Sequence, residues 1–156
     1  KYNGNYAALI RTIGHGVANT NVGSFLGMNG SITGTHTIGI LSYSGDFQVR
    51  PTKVKFYYRY IPEGDDVGVI ELKIENEDQD VILYEATNVV SKTEYQLYEI
   101  PINYMVENVV ATKLTLTLKS GSKHTNVVKA KVRGNGADEH YGSELYIDDI
   151  SLVYDK

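Results

Sequence analysis

Leu114, Leu116 and Leu118 alternate with Lys113, Thr115, Thr117 and Lys119. Side chains that change face at every residue have the period of a β-strand, not of a helix. The same pattern recurs in Lys53 to Ile61, where Val54, Phe56, Tyr58 and Tyr60 oppose Lys53, Lys55, Tyr57 and Arg59. It recurs again in Val67 to Glu75, with Ile70, Leu72 and Ile74 opposite Glu71, Lys73 and Glu75. A strand that is apolar on one face must bury that face against another layer.

The remaining elements follow the same rule. Tyr6 to Thr12 is apolar on both faces and reads as an inner strand. Phe25-Leu26 and Ile38 to Leu41 are short strands inside a glycine-dotted stretch from Asn21 to Gly45. Val81 to Ala86, Thr93 to Ile102 and Glu144 to Tyr154 complete the set, while Val127 to Arg133 reads as a strand or an extended loop and Asn103 to Val110 is ambiguous with a short turn of helix. Gly14 to Thr20, Pro62 to Asp66, Asn76 to Asp80, Ser120 to Asn126 and Gly134 to Gly142 carry turn residues and separate the strands. Eight to ten short strands at this spacing define an all-β sandwich or barrel. With 156 residues and no internal repeat or linker, residues 1–156 form a single domain.

The totals exclude several kinds of protein. No run of about 18 apolar residues is present to span a membrane as a helix. The net charge of -4 argues against nucleic acid as a partner, because phosphate backbones select basic surfaces. The absence of cysteine rules out a disulfide framework, a zinc–thiolate site and a cysteine nucleophile. His15, His36, His124 and His140 lie in turn-like segments without zinc spacing, and neither a phosphate loop nor a serine-hydrolase elbow occurs. Glu71 and Glu75 share a strand face about 13 Å apart, beyond the roughly 5 to 9.5 Å of glycosidase carboxylate pairs. Lys73 between them makes a charge ladder the simpler reading.

One polar feature stands out. Asp148 and Asp149 interrupt the apolar run of the last strand, GSELYIDDISLVY. In a regular strand one of two adjacent residues faces the packed side, and a carboxylate there needs a cation or hydrogen-bond donors.

Four blocks in order resemble the putative carbohydrate metabolism domain found in secreted proteins of Bacteroidetes: GNYAALIRT (Gly4 to Thr12), FQVRP (Phe47 to Pro51), KVKFYYRYIPEGDD (Lys53 to Asp66) and the closing GSELYIDDISLVY. The resemblance runs over nearly the whole chain. It implies a jelly-roll β-sandwich of eight to ten antiparallel strands, similar to carbohydrate-binding modules, on a secreted or outer-membrane-surface lipoprotein. The lipid anchor would lie outside this chain. No catalytic residue comes with the resemblance. In related jelly rolls an aspartate like Asp148 binds a structural calcium, which makes Asp148 the expected inward, metal-binding member of the pair. The alternative is a carboxylate that accepts backbone N–H bonds from a neighbouring loop.

The implied partner is a glycan. The chain has 13 tyrosines and no tryptophan, and an aromatic ring stacks on the apolar C–H face of a sugar. Tyr57 and Arg59 occupy the less apolar face of their strand and, with Tyr141, are the expected carbohydrate-binding residues. Tyr43, Tyr95 and Tyr98 are candidates to extend the platform. The expectation is therefore a monomeric, non-catalytic carbohydrate-binding or adhesion module used in glycan capture. The alternatives are a glycoside hydrolase and a structural spacer without ligand.

Overall fold

The computed structural model describes the backbone of residues 1–19, 29–47, 49–104, 110–122, 127–133 and 137–154, and the side chains of residues 1–14, 37–47, 49–104, 110–122 and 142–154. The described residues form ten strands: β1 (Ala8–Asn19), β2 (Asn29–Thr37), β3 (Ile40–Asp46), β4 (Lys53–Ile61), β5 (Gly68–Asn76), β6 (Val81–Val89), β7 (Lys92–Pro101), β8 (Ala111–Lys119), β9 (Val127–Arg133) and β10 (Ala137–Val153). Every pairing is antiparallel. No helix occurs among the described residues.

The pairings resolve into a jelly roll. One sheet runs β3-β8-β5-β6. The other is built on β1-β10-β4-β7, since β10 pairs with both β1 and β4, and β4 pairs with β7. The chain crosses between the sheets after β2, β3, β4, β6, β7 and β8, which gives the double Greek-key winding of that fold. β2 and β9 pair with each other and extend the sheet of β1, β10, β4 and β7, β2 against the far half of β1 and β9 against Ala137 to His140 of β10.

The alternating residues meet between the layers. Val54, Phe56 and Tyr60 of β4, Ile70, Leu72 and Ile74 of β5, Leu114, Leu116 and Leu118 of β8, and Leu145 and Ile147 of β10 are all buried. Burial of this kind is worth about 1.5 to 3 kcal/mol per large side chain. Tyr98 is half-buried and packs against this core. Its ring lies 5.5 Å from Phe56 and 5.8 Å from Tyr58, and its hydroxyl is 3.1 Å from that of Thr87.

A buried polar cluster fastens one end of the sandwich. Asp66 follows the β4–β5 turn and is 7% exposed. Its Oδ1 accepts from the backbone N–H groups of Val67 and Ser122, both at 2.9 Å, and its Oδ2 accepts from the Ser143 hydroxyl at 2.9 Å. The Ser143 hydroxyl in turn accepts from the Glu63 N–H. Nearby, the buried hydroxyls of Thr12 and Ser120 are 2.8 Å apart, and the Tyr60 hydroxyl donates to the Ser120 carbonyl. Burial pushes the Tyr60 phenol up to about 12. These contacts tie β1, β10, the β4–β5 turn and the end of β8 together.

The structure departs from the sequence expectations at several boundaries. Gly14 to Thr20 was expected as a loop, but β1 continues through it to Asn19 because β2 supplies a partner. The expected turn at Gly134 to Gly142 is strand from Ala137, paired with β9. Phe25-Leu26, and most of the helix-or-turn segment Asn103 to Val110, lie outside the described residues.

Candidate functional site

The outer face of β4, β10 and β7 carries the features of interest. Leu145 and Ile147 point into the core, so Tyr146 and Asp148 point away from it. Across the register Tyr146 lies opposite Arg59 and Asp148 opposite Tyr57. Tyr57 and Arg59 stand on this face because Phe56, Tyr58 and Tyr60 occupy the inner one. On β7, Leu97 lies opposite Tyr57.

The inward position expected for Asp148 is corrected by the phase of β10, which turns it outward next to the buried Ile147, and a β-bulge follows it. Asp148 pairs with Tyr57 and Ser151 with Lys55, so three steps along β10 match two along β4. Asp149 absorbs the mismatch with φ 52. The extra residue cancels the alternation that would have sent one aspartate inward. Asp149 is exposed and Asp148 only half-buried.

Asp148 is nonetheless well partnered. Its Oδ2 accepts from the Tyr2 N–H at 2.7 Å and the Asn3 N–H at 3.1 Å, and its Oδ1 accepts from the Asp149 N–H at 2.9 Å. The hydrogen bond from Asn3 first, with those from Tyr2 and Asp149, holds the carboxyl below its ordinary value against the opposing effect of desolvation. This donor set does not fit calcium. A calcium ion gathers six to eight oxygens, whereas three N–H dipoles converge here with their positive ends toward the carboxylate. Among the described residues no group of three or more acidic or histidine side chains is gathered to hold a metal.

The segment held by Asp148 crosses the site. The Tyr2 ring stacks on Tyr57 with centroids 3.5 Å apart and planes 12° from parallel, and lies 6.4 Å from the Tyr95 ring. Hydrogen bonding to the Tyr57 hydroxyl raises the Tyr2 phenol above its ordinary value. Beside it, the Arg59 guanidinium sits 4.2 Å over the centre of the Tyr146 ring, a cation–π contact. Tyr146 donates to Glu144 at 2.8 Å, and Glu144 pairs with Arg11 at 2.7 Å. The Arg59 Nε and the Tyr95 hydroxyl are buried without a hydrogen-bond partner. Burial raises the Tyr95 phenol, with the Asp148 charge adding to the effect.

A cleft of about 290 Å³ opens on this face, lined by Lys55, Tyr57, Leu97, Glu99, Asp149, Ile150 and Ser151. Its walls combine an aromatic ring and two aliphatic side chains with a cation, two carboxylates and a hydroxyl. Glu99 is paired with Lys53 at 3.3 Å. Such mixed lining, apolar walls with a few polar groups, is the usual make-up of a small-ligand site.

The residues expected to bind sugar are thus distributed unevenly. Tyr57 lines the cleft, while Arg59 lies over Tyr146 and does not line it. Tyr141 sits opposite Ile13 in the β1–β10 pairing, and its side chain lies outside the described residues. The side chains of His15, His36, His124 and His140 lie outside them too. Tyr95 lies beside Tyr2 and does not line the cleft, Tyr43 is on β3 in the other sheet, and Tyr98 is half-buried against the core. Glu71 and Glu75 are ion-paired with Lys119 at 2.6 Å and Lys73 at 3.0 Å, so both carboxylates are occupied structurally. Tyr2 escaped the sequence reading, and Asp149 was read only as the other member of the aspartate pair. Tyr2 precedes the first strand without any pattern, and the role of Asp149 depends on a bulge.

The strand order and winding define a jelly-roll β-sandwich, and carbohydrate-binding modules of β-sandwich fold are among its structural neighbours. No protein-family model matches the sequence, and no curated protein sequence is similar to it. The enzymatically active domain of bacteriophage CBA120 tailspike protein 4 is similar with a TM-score of 0.50 at 8% identity over 94% of this chain. That likeness is one of fold, and the chain spans 19% of the tailspike chain. The TmCBM61 module in complex with β-1,4-galactotriose is similar with a TM-score of 0.43 at 15% identity, over 82% of this chain and 71% of that one. The family 11 carbohydrate-binding module from Clostridium thermocellum, in complex with a β-1,3-1,4-mixed-linked tetrasaccharide, gives a TM-score of 0.41 at 10% identity, over 96% and 85%.

Proposed function

We propose that this chain is a non-catalytic carbohydrate-binding module that takes a neutral glycan in the cleft beside Tyr57. The observation that carries the reading is the lining of that cleft. Tyr57, Leu97 and Ile150 offer apolar surface to the C–H face of a sugar ring, and Lys55, Glu99, Asp149 and Ser151 surround it with groups that bond hydroxyls. The charges balance poorly for an anionic ligand: two carboxylates line the cleft against one lysine. A neutral sugar uses both donors and acceptors and meets no repulsion.

In the wider reading, the module serves glycan capture by a secreted or surface-anchored bacterial protein, as the resemblance to the Bacteroidetes domain implies. It acts as a monomer, and any membrane tether lies outside this chain. A glycan array followed by calorimetry tests the binding. The expected result is binding of neutral oligosaccharides, weakened at least tenfold by Tyr57→Ala with the melting temperature held. Binding to no glycan contradicts the reading. Release of reducing sugar from a bound oligosaccharide contradicts its non-catalytic part.

A further inference from the structure

We infer that Tyr2 and Asp148 are positioning residues of this cleft, holding the Tyr57 ring in place as one of its walls. The inference rests on the reading of the cleft as a glycan site. Tyr57 lines the cleft, and Tyr2 does not. The Tyr2 ring covers one face of Tyr57 at 3.5 Å, so Tyr57 presents its other face and its edge to a ligand.

The buttress is itself held in place. Asp148, directly opposite Tyr57 in the register, accepts the N–H groups of Tyr2 and Asn3. The Asn3 side chain then accepts the Gly4 N–H at 2.8 Å, and Gly4 turns the chain with φ 61, a conformation glycine adopts without strain. Backbone hydrogen bonds at one end and a turn at the other fix where the Tyr2 ring sits. Ordinary alternation turns Asp148 outward, and the bulge that follows it places Asp149 on the cleft wall. Two adjacent aspartates of β10 thereby supply the anchor of the buttress and one polar group of the site.

Pre-ordering a ring removes the entropy that a ligand would otherwise have to overcome in immobilising it, an effect of about two- to tenfold in affinity for one side chain. Because Tyr2 acts through Tyr57, its removal matters only while Tyr57 is present.

Calorimetry with a panel of neutral tetrasaccharides (cello-, xylo-, manno- and galactotetraose) tests this as a double-mutant cycle. Tyr2→Ala is expected to weaken binding about two- to tenfold, Tyr2→Phe to restore it, and Tyr2→Ala to add nothing to Tyr57→Leu. Additive losses would mean that Tyr2 contacts the sugar independently and would overturn the inference. So would unchanged affinity in Tyr2→Ala. Both outcomes leave the glycan reading intact, provided Tyr57→Leu weakens binding. Binding that Tyr57→Leu leaves untouched, or no binding at all, overturns the glycan reading itself. Ring-flip rates of Tyr57 by NMR then decide on the buttress alone: faster flipping in Tyr2→Ala and Asp148→Ala supports it, and unchanged rates refute it.

Discussion

Asp148 and Tyr57 face each other across β10 and β4, and each holds a different part of Tyr2. Asp148 accepts the Tyr2 backbone N–H at 2.7 Å, while Tyr57 takes the Tyr2 ring on its face. The carboxylate that looked like a metal ligand therefore acts as an anchor for the chain ahead of β1. Both roles demand a fixed carboxylate, but they call for opposite surroundings: oxygens around a shared cation in one case, N–H donors in the other.

Asp148→Ala should lower stability by about 1 kcal/mol, because it removes three hydrogen bonds from a half-exposed carboxylate rather than a buried charge. The chain should melt at the same temperature with and without EDTA. A fall of several degrees on chelation would restore a calcium site, since a ligand bound only to the folded state stabilises it by mass action.

The same carboxylate sets a pH dependence. Its folded pKa lies below the ordinary 3.8, so its contribution is complete above that value and is lost as pH falls through the folded pKa. The melting-temperature difference between the wild type and Asp148→Ala should be constant from about pH 5 to pH 7 and shrink toward about pH 2. A difference that grows on acidification would contradict the hydrogen-bond account of Asp148.

Asp66 should prove the most sensitive polar residue in the described fold. Asp66→Ala leaves the Val67 and Ser122 N–H groups and the Ser143 hydroxyl without their acceptor in a buried place. The expected cost is about 2 to 4 kcal/mol by urea denaturation. Glycan affinity of the folded fraction should not change, because the cluster does not line the cleft.

The β-sandwich was legible because the period-two pattern is a property of single residues: Val54, Phe56 and Tyr60 had to share a face, and they do. So was the outward placement of Tyr57 and Arg59. Asp66 was read as part of an ordinary turn, because its partners Ser122 and Ser143 lie 56 and 77 residues away. The buried Leu145 and Ile147 turn Asp148 outward by plain alternation, against what the resemblance implied, and that Asp149 does not face inward in its place was hidden for a related reason. Whether a strand carries a bulge depends on its partner's register, which local alternation does not encode. Tyr2 shows no signal at all, since only the fold brings it beside a residue 55 positions later along the chain.

Calorimetric titration of wild type and Tyr57→Ala with the best neutral oligosaccharide from an array tests the central claim most directly. The account predicts measurable binding to the wild type, at least a tenfold loss in the variant, and matching melting temperatures. Equal affinity in the two proteins, or a wild type that binds no glycan, would contradict it.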